Sequence, residues 1–70
     1  MAQETRDRIR KAAVKVISRE GFFNTRMQDI ADQAGLAVGT IYNYFSSKDK
    51  VLAYIFKSEM KRRMEIMSDL

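Results

Sequence analysis

Val38, Gly39, Thr40, Tyr42 and Asn43 fall within six consecutive positions, and their side chains are small, hydroxylated, aromatic or amide. Asparagine can pair bidentately with adenine, threonine and tyrosine hydroxyls can bond phosphate, and valine can touch a thymine methyl. Downstream, Lys48 stands where a helix should begin, so its ammonium and the helix's free N–H groups offer positive charge at one place. Upstream, Arg26 and Gln28 stand at another helix start, placed for a phosphate backbone on the other side. The chain has no His and no Cys, so it lacks the commonest general base, the commonest metal ligand and any thiolate. No cluster of catalytic or metal-ligating type remains. The reading is a non-enzymatic binding protein without cofactor or metal.

Positioning that set requires helices. The 70 residues are 46% hydrophobic, lack proline and hold three glycines, which disfavours a turn-rich sheet. Ile9, Ala12, Ala13, Val16 and Ile17 mark one face of a first helix expected over Thr5–Glu20, closed by Gly21. Phe22 and Phe23 follow, and Phe22 is the one expected to enter the core. Thr25 with Gln28 three residues on has the form of a capping box, so helix 2 should span about 25–34, with Met27, Ile30, Ala31 and Ala34 inward and Gly35 at its end. Helix 3 should span about 38–45, with Ile41 and Phe45 inward. Ser46 with Asp49 repeats the capping pattern. From there Leu52, Ile55, Phe56, Met60, Met64 and Met67 form the stripe of a long fourth helix over 46–70.

Two short helices joined at Gly35, with small Ala31 at their contact, read as a helix-turn-helix. Ile30, Ala34, Leu36, Ile41 and Tyr44 or Phe45 supply its apolar interior, and the outer face of helix 3 is left free for a DNA major groove. The formal charge of +4 suits a polyanion. It is carried by the flanks, because residues 21–45 hold only Arg26 against Asp29 and Asp32. No apolar run is long enough for a membrane span, and no secretion signal opens the chain.

The segment from Gly21 through Leu52 resembles the DNA-binding domain of the TetR family of bacterial transcriptional repressors. The resemblance rests on Asp29-Ile30-Ala31, Ala34-Gly35-Leu36, the string Gly39-Thr40-Ile41-Tyr42-Asn43-Tyr44-Phe45 and Ser47-Lys48-Asp49. It implies an all-α, homeodomain-like helical bundle, with residues 1–50 as the DNA-binding head and 46–70 leading toward a C-terminal domain that dimerises and binds a small ligand. It implies phosphate contacts at Thr40 and Lys48, and phosphate or base contacts at Tyr42, Asn43 and Tyr44. Val38 and Gly39 would approach bases, and Arg26 and Gln28 would meet backbone or a base edge. The implied protein is a cytoplasmic, nucleoid-associated bacterial homodimer on a palindromic operator, released by a small-molecule inducer.

The sequence departs from that pattern in places. Ala37 stands where a Ser or Thr cap is common, Val38 where a Lys or polar residue is common, Arg26 where Ser or Thr is common, and Gln28 where Arg is common. The ligand and dimer domain is absent from the 70 residues, and the Met60, Met64 and Met67 face has nothing within them to cover it. Truncation is therefore expected, with a lone head that is monomeric or weakly associating and binds DNA poorly. Two competing readings are a small protein-interaction module built on those methionines, and a membrane-surface helix carrying Lys57, Lys61, Arg62 and Arg63. The second leaves everything before residue 46 without a role.

Overall fold

In a computed structural model, which describes the backbone of residues 2–68 and the side chains of residues 3–58, the chain folds as four helices: α1 (Ala2–Glu20), α2 (Met27–Ala34), α3 (Val38–Tyr44) and α4 (Lys48–Ser68). The fold class is as the sequence predicts. No helix among the described residues is long and apolar enough to cross a membrane.

The core forms where the four apolar faces meet. Ile9, Ala13 and Val16 of α1, Ile30 and Ala31 of α2, Ile41 of α3 and Val51 of α4 have no exposed surface. The expected α1 and α2 faces are the buried ones, with Ile17 half-buried beside them. Ala12, Ala13 and Ala31 lack bulk, so the helix backbones approach closely. Neither α2 nor α3 is long enough to persist alone, and this shared core holds both.

Several boundaries differ from expectation, each for a local reason. α1 begins at Ala2 rather than Thr5, because Gln3 is tied into tertiary structure: its Nε2 donates to the Tyr54 hydroxyl at 2.7 Å. Helix 2 is capped at Arg26 rather than Thr25. The Arg26 backbone N–H donates to Asp29 Oδ2 at 3.0 Å, so Asp29, not Gln28, is the acidic partner of the cap. Thr25 is instead buried, and its hydroxyl donates to the Gly21 carbonyl at 2.7 Å. α3 ends at Tyr44, and Phe45 follows in extended conformation with its ring still in the core. Ser47, not Ser46, caps α4, its Oγ accepting from the Lys50 backbone N–H at 3.4 Å.

The register of α4 also corrects the sequence reading. Val51 is the fully buried residue, Leu52 is half-buried and Phe56 is 60% exposed. Tyr54 decides this. Its ring packs on Phe45 with centroids 5.5 Å apart, and its hydroxyl donates to Asp7 Oδ1 at 3.1 Å, which turns the Val51–Tyr54–Ile55 edge inward. The expectations for Met60, Met64 and Met67 lie outside the described side chains.

The joint between α2 and α3 is closed by backbone chemistry. Gly35 has φ +71°, in the left-handed region that favours glycine. The Leu36 N–H donates to the Ala31 carbonyl at 2.9 Å and the Gly35 N–H to the Asp32 carbonyl at 3.2 Å, the paired bonds of a Schellman motif. Arg8 of α1 completes the cap, its Nε donating to the Ala34 carbonyl at 2.8 Å. A Cβ at Gly35 would be strained by that φ and would stand 3.2 Å from the Arg8 guanidinium. Gly35→Ala should therefore destabilise the fold by about 1–2 kcal/mol. Urea denaturation checks this, and an unshifted midpoint would show that the turn does not require the left-handed geometry.

Candidate nucleic-acid interface

α3 sorts its residues by helical angle. Val38 and Ile41, three apart, face the core, and the ring of Phe45 joins them just past the helix end. Gly39, Tyr42 and Asn43, also three and four apart, are exposed on the opposite side, with Tyr42 at 53% of its surface. Thr40 and Tyr44 lie half-buried along one edge. Val38 thus corrects the sequence reading: it packs partly against the core, so it is not a wholly outward side chain. Among the residues expected to face outward, the structure brings Gly39, Tyr42 and Asn43 together, with Thr40 flanking them.

Glycine at position 39 has no packing reason. A Cβ there would meet nothing within 4 Å, and its φ is not in the left-handed region. Ala37 precedes α3 without a side-chain cap, as its lack of a hydroxyl implies. The first turn of α3 therefore has no side-chain oxygen on its N–H groups, although the Thr40 and Ile41 N–H groups reach the Ala37 carbonyl at 3.0 and 3.4 Å.

Tyr44 faces two ways. It packs against the core, and the Arg6 guanidinium of α1 lies 5.3 Å from its ring centroid. That contact fixes the end of α3 against α1 through a cation–π attraction. Arg26 and Gln28 are both exposed at the start of α2. The Gln28 amide donates to Asp32 Oδ1 at 2.8 Å, so one of its donors is spent within the helix.

The environment of Lys48 was not legible in the sequence. Its Nζ donates to the carbonyls of Phe22 at 2.7 Å, Thr25 at 2.9 Å and Phe23 at 3.4 Å, and it lies 4.5 Å from the Phe22 ring centroid. Three donors meet three carbonyls of the α1–α2 connector. Phe22 is the more buried of the pair, but it is only half-buried and does not join the core as expected, because it sits against Lys48 in the connector, while Phe23 is 92% exposed. Lys48 thereby ties the start of α4 to the start of α2. The signal was absent because the acceptors are main-chain oxygens more than twenty residues away, which no side-chain pattern marks. Among the described residues no group of His, Cys, Asp and Glu is placed to hold a metal ion.

Lys48→Met keeps most of the aliphatic stem and removes the ammonium. It should destabilise the fold by about 1–3 kcal/mol, since hydrogen bonds to a charged group carry that much and the carbonyls are partly buried. Lys50→Met, at an exposed position, should change stability by less than about 0.5 kcal/mol. Equal midpoints in urea for both variants would overturn the tether.

Comparison with known proteins gives this arrangement a family. Residues 9–55 match the model of the bacterial regulatory proteins, tetR family. The fatty acid metabolism regulator protein of Bacillus subtilis (strain 168) is 43% identical over 58 residues, covering 83% of this chain and 30% of the relative. The HTH-type transcriptional repressor NicS of Pseudomonas putida is 42% identical over 73 aligned positions, covering 99% of this chain and 34% of the relative. The HTH-type transcriptional regulator HbdR of Aromatoleum sp. (strain CIB) is 36% identical over 58 residues, covering 83% of this chain and 25% of the relative. The chain thus spans about a third or less of the length of these curated relatives. No solved structure matches it. The matched segment holds α2, the Gly35 turn and α3 entire, and by that match the chain belongs to the tetR family of bacterial regulatory proteins and carries its helix-turn-helix DNA-binding domain.

Proposed function

We propose that α3 enters the DNA major groove and that this domain reads an operator for a transcriptional repressor. The observation that carries the reading is the exposed Gly39–Tyr42–Asn43 face, set on a helix whose opposite side is anchored by fully buried Ile41. An exposed face without a charged residue has no solvation reason for its composition, whereas each residue type in it suits a base edge or a phosphate. Asn43 is assigned to a base, Thr40 and Tyr42 to phosphate, and Tyr44 to positioning the α3 edge. Gly39 admits close approach of backbone to DNA, with the exposed part of Val38 beside it. Arg26 and Gln28, exposed at the start of α2, take the backbone on the other side. Lys48 brings positive charge to the start of α4 while holding the connector.

The relatives are about three to four times longer than the aligned segment. In the whole protein the expected partners are a second copy, a palindromic operator with half-sites roughly 34–36 Å apart, and a small-molecule inducer bound outside this domain. The expected location is the bacterial cytoplasm, at the nucleoid.

The test begins with an operator selected from randomised duplexes. Tyr42→Ala and Thr40→Ala should each weaken operator binding by about 1–3 kcal/mol and leave the helical circular dichroism unchanged. Gly39→Ala should leave the fold intact or favour it by up to about 1 kcal/mol, because nothing stands where the methyl would go. It should still impair binding. Normal operator affinity in all three folded variants would show that α3 is not the reading helix.

A further inference from the structure

A second feature borders α3. Between its C-terminal end and the first turns of α4 runs a cleft of about 520 Å³. Tyr42, Tyr44 and Tyr54 give it aromatic walls, and among the described residues Lys50 and Lys57 supply its only formal charges, with no carboxylate lining it. Both lysines are exposed, and neither is held by an ion pair among the described residues. Seven residues apart, they stand two helical turns and about 10 Å apart on one face of α4. Measured along the duplex axis, that distance corresponds to about three phosphates of one strand.

Lys48 and Lys50 divide the work at the start of α4. Two residues apart on a helix, they point to nearly opposite sides. Lys48 turns back to the connector, where its donors are taken by the carbonyls of Phe22, Phe23 and Thr25. Lys50 turns to the cleft that Tyr42 and Asn43 share. Of the two, Lys50 is therefore the one that lines a cleft with Tyr42 and Asn43, and Lys57 lines it two turns farther along α4.

We infer that Lys50 and Lys57 form a rail for the sugar–phosphate backbone of the DNA strand that runs beside α3, with the exposed Tyr42 ring packing against its sugars. The inference rests on α3 being the DNA-reading helix. The occupant is polyanionic because the cleft presents, among the described residues, two ammonium groups and no carboxylate. The rail adds sequence-independent affinity outside the base-reading set, so its contribution appears in the salt dependence of binding.

The experiment titrates a mixed-sequence duplex with wild type, Lys50→Gln, Lys57→Gln and the double variant at several salt concentrations. Each single variant should lower the slope of log affinity against log salt by about one unit, and the double variant by about two. Between about 50 and 200 mM salt, each lost contact makes the salt-induced fall in affinity smaller by roughly threefold. Lys50→Arg and Lys57→Arg should keep the wild-type slope. Lys15→Gln, exposed on α1 away from this cleft, should keep it too. A steep wild-type slope that the double variant leaves unchanged overturns the rail and spares the DNA reading. A slope that Lys15→Gln lowers as much as Lys50→Gln assigns the effect to net charge and also overturns the rail. A flat wild-type slope overturns the DNA reading, and the rail falls with it.

Discussion

A helix that ends against another element leaves carbonyl oxygens that must find donors away from water. At the end of α2 this demand is met three times over. Leu36 N–H takes the Ala31 carbonyl, Gly35 N–H takes that of Asp32, and the Arg8 guanidinium takes that of Ala34. The first two bonds require the left-handed Gly35, and the third requires α1 to lie where it does. The direction in which the chain leaves α2, and hence the face that α3 shows to solvent, follows from closing those bonds. With the direction set, Ile41 reaches the core and Gly39, Tyr42 and Asn43 are left outside.

The same arithmetic of donors and acceptors explains much of the basic surface. A formal charge of +4 suggests a polyanion partner, yet several cations are spent within the chain. Arg8 caps α2, Arg6 lies against Tyr44, Arg10 pairs with Asp7 at 3.7 Å, and Lys48 gathers the connector. These contacts lock the α3 edge, the α1 surface and the starts of α2 and α4 into one unit. A small domain buries too little apolar surface to be rigid from its core alone. Polar ties across its joints therefore carry a large part of the positional accuracy that reading a groove demands. Among the described residues the unengaged cations are fewer than the composition suggests, which gives more weight to where each one stands.

The α1–α4 contact shows why an element's register resists reading from one strand of sequence. The apolar spacing of α4 is ambiguous by one residue, since Val51 and Leu52 are both good core residues and each begins a plausible stripe. The choice falls to Val51 because Tyr54 must place its ring on Phe45 and its hydroxyl on Asp7 and Gln3. The caps of α2 and α4 shifted by one residue for a related reason. Thr25 and Ser46 each resemble a cap locally, but Thr25 is drawn into the Gly21 carbonyl, and the start of α4 is set by where Lys48 must reach.

Features that depend on near neighbours are legible in the order of residues. The buried faces of α1 and α2 follow from three- and four-residue spacing, the ends of both helices from Gly21 and Gly35, and the short α3 from its place between a glycine turn and a serine pair. The family string from Gly39 to Phe45 was equally legible, and it marked the outward Tyr42 and Asn43. Features that depend on partners far along the chain are settled only when the elements pack. That Val38 leans inward, that Val51 rather than Leu52 is buried, that Lys48 faces carbonyls of the connector, and that Lys50 joins Tyr42 at a common cleft are all set by contacts across more than six residues, and mostly across elements. Helical periodicity fixes which side chains share a face. It cannot fix how that face is turned toward another helix, because main-chain carbonyls and the rotation of a helix about its axis leave no mark in the order of side chains.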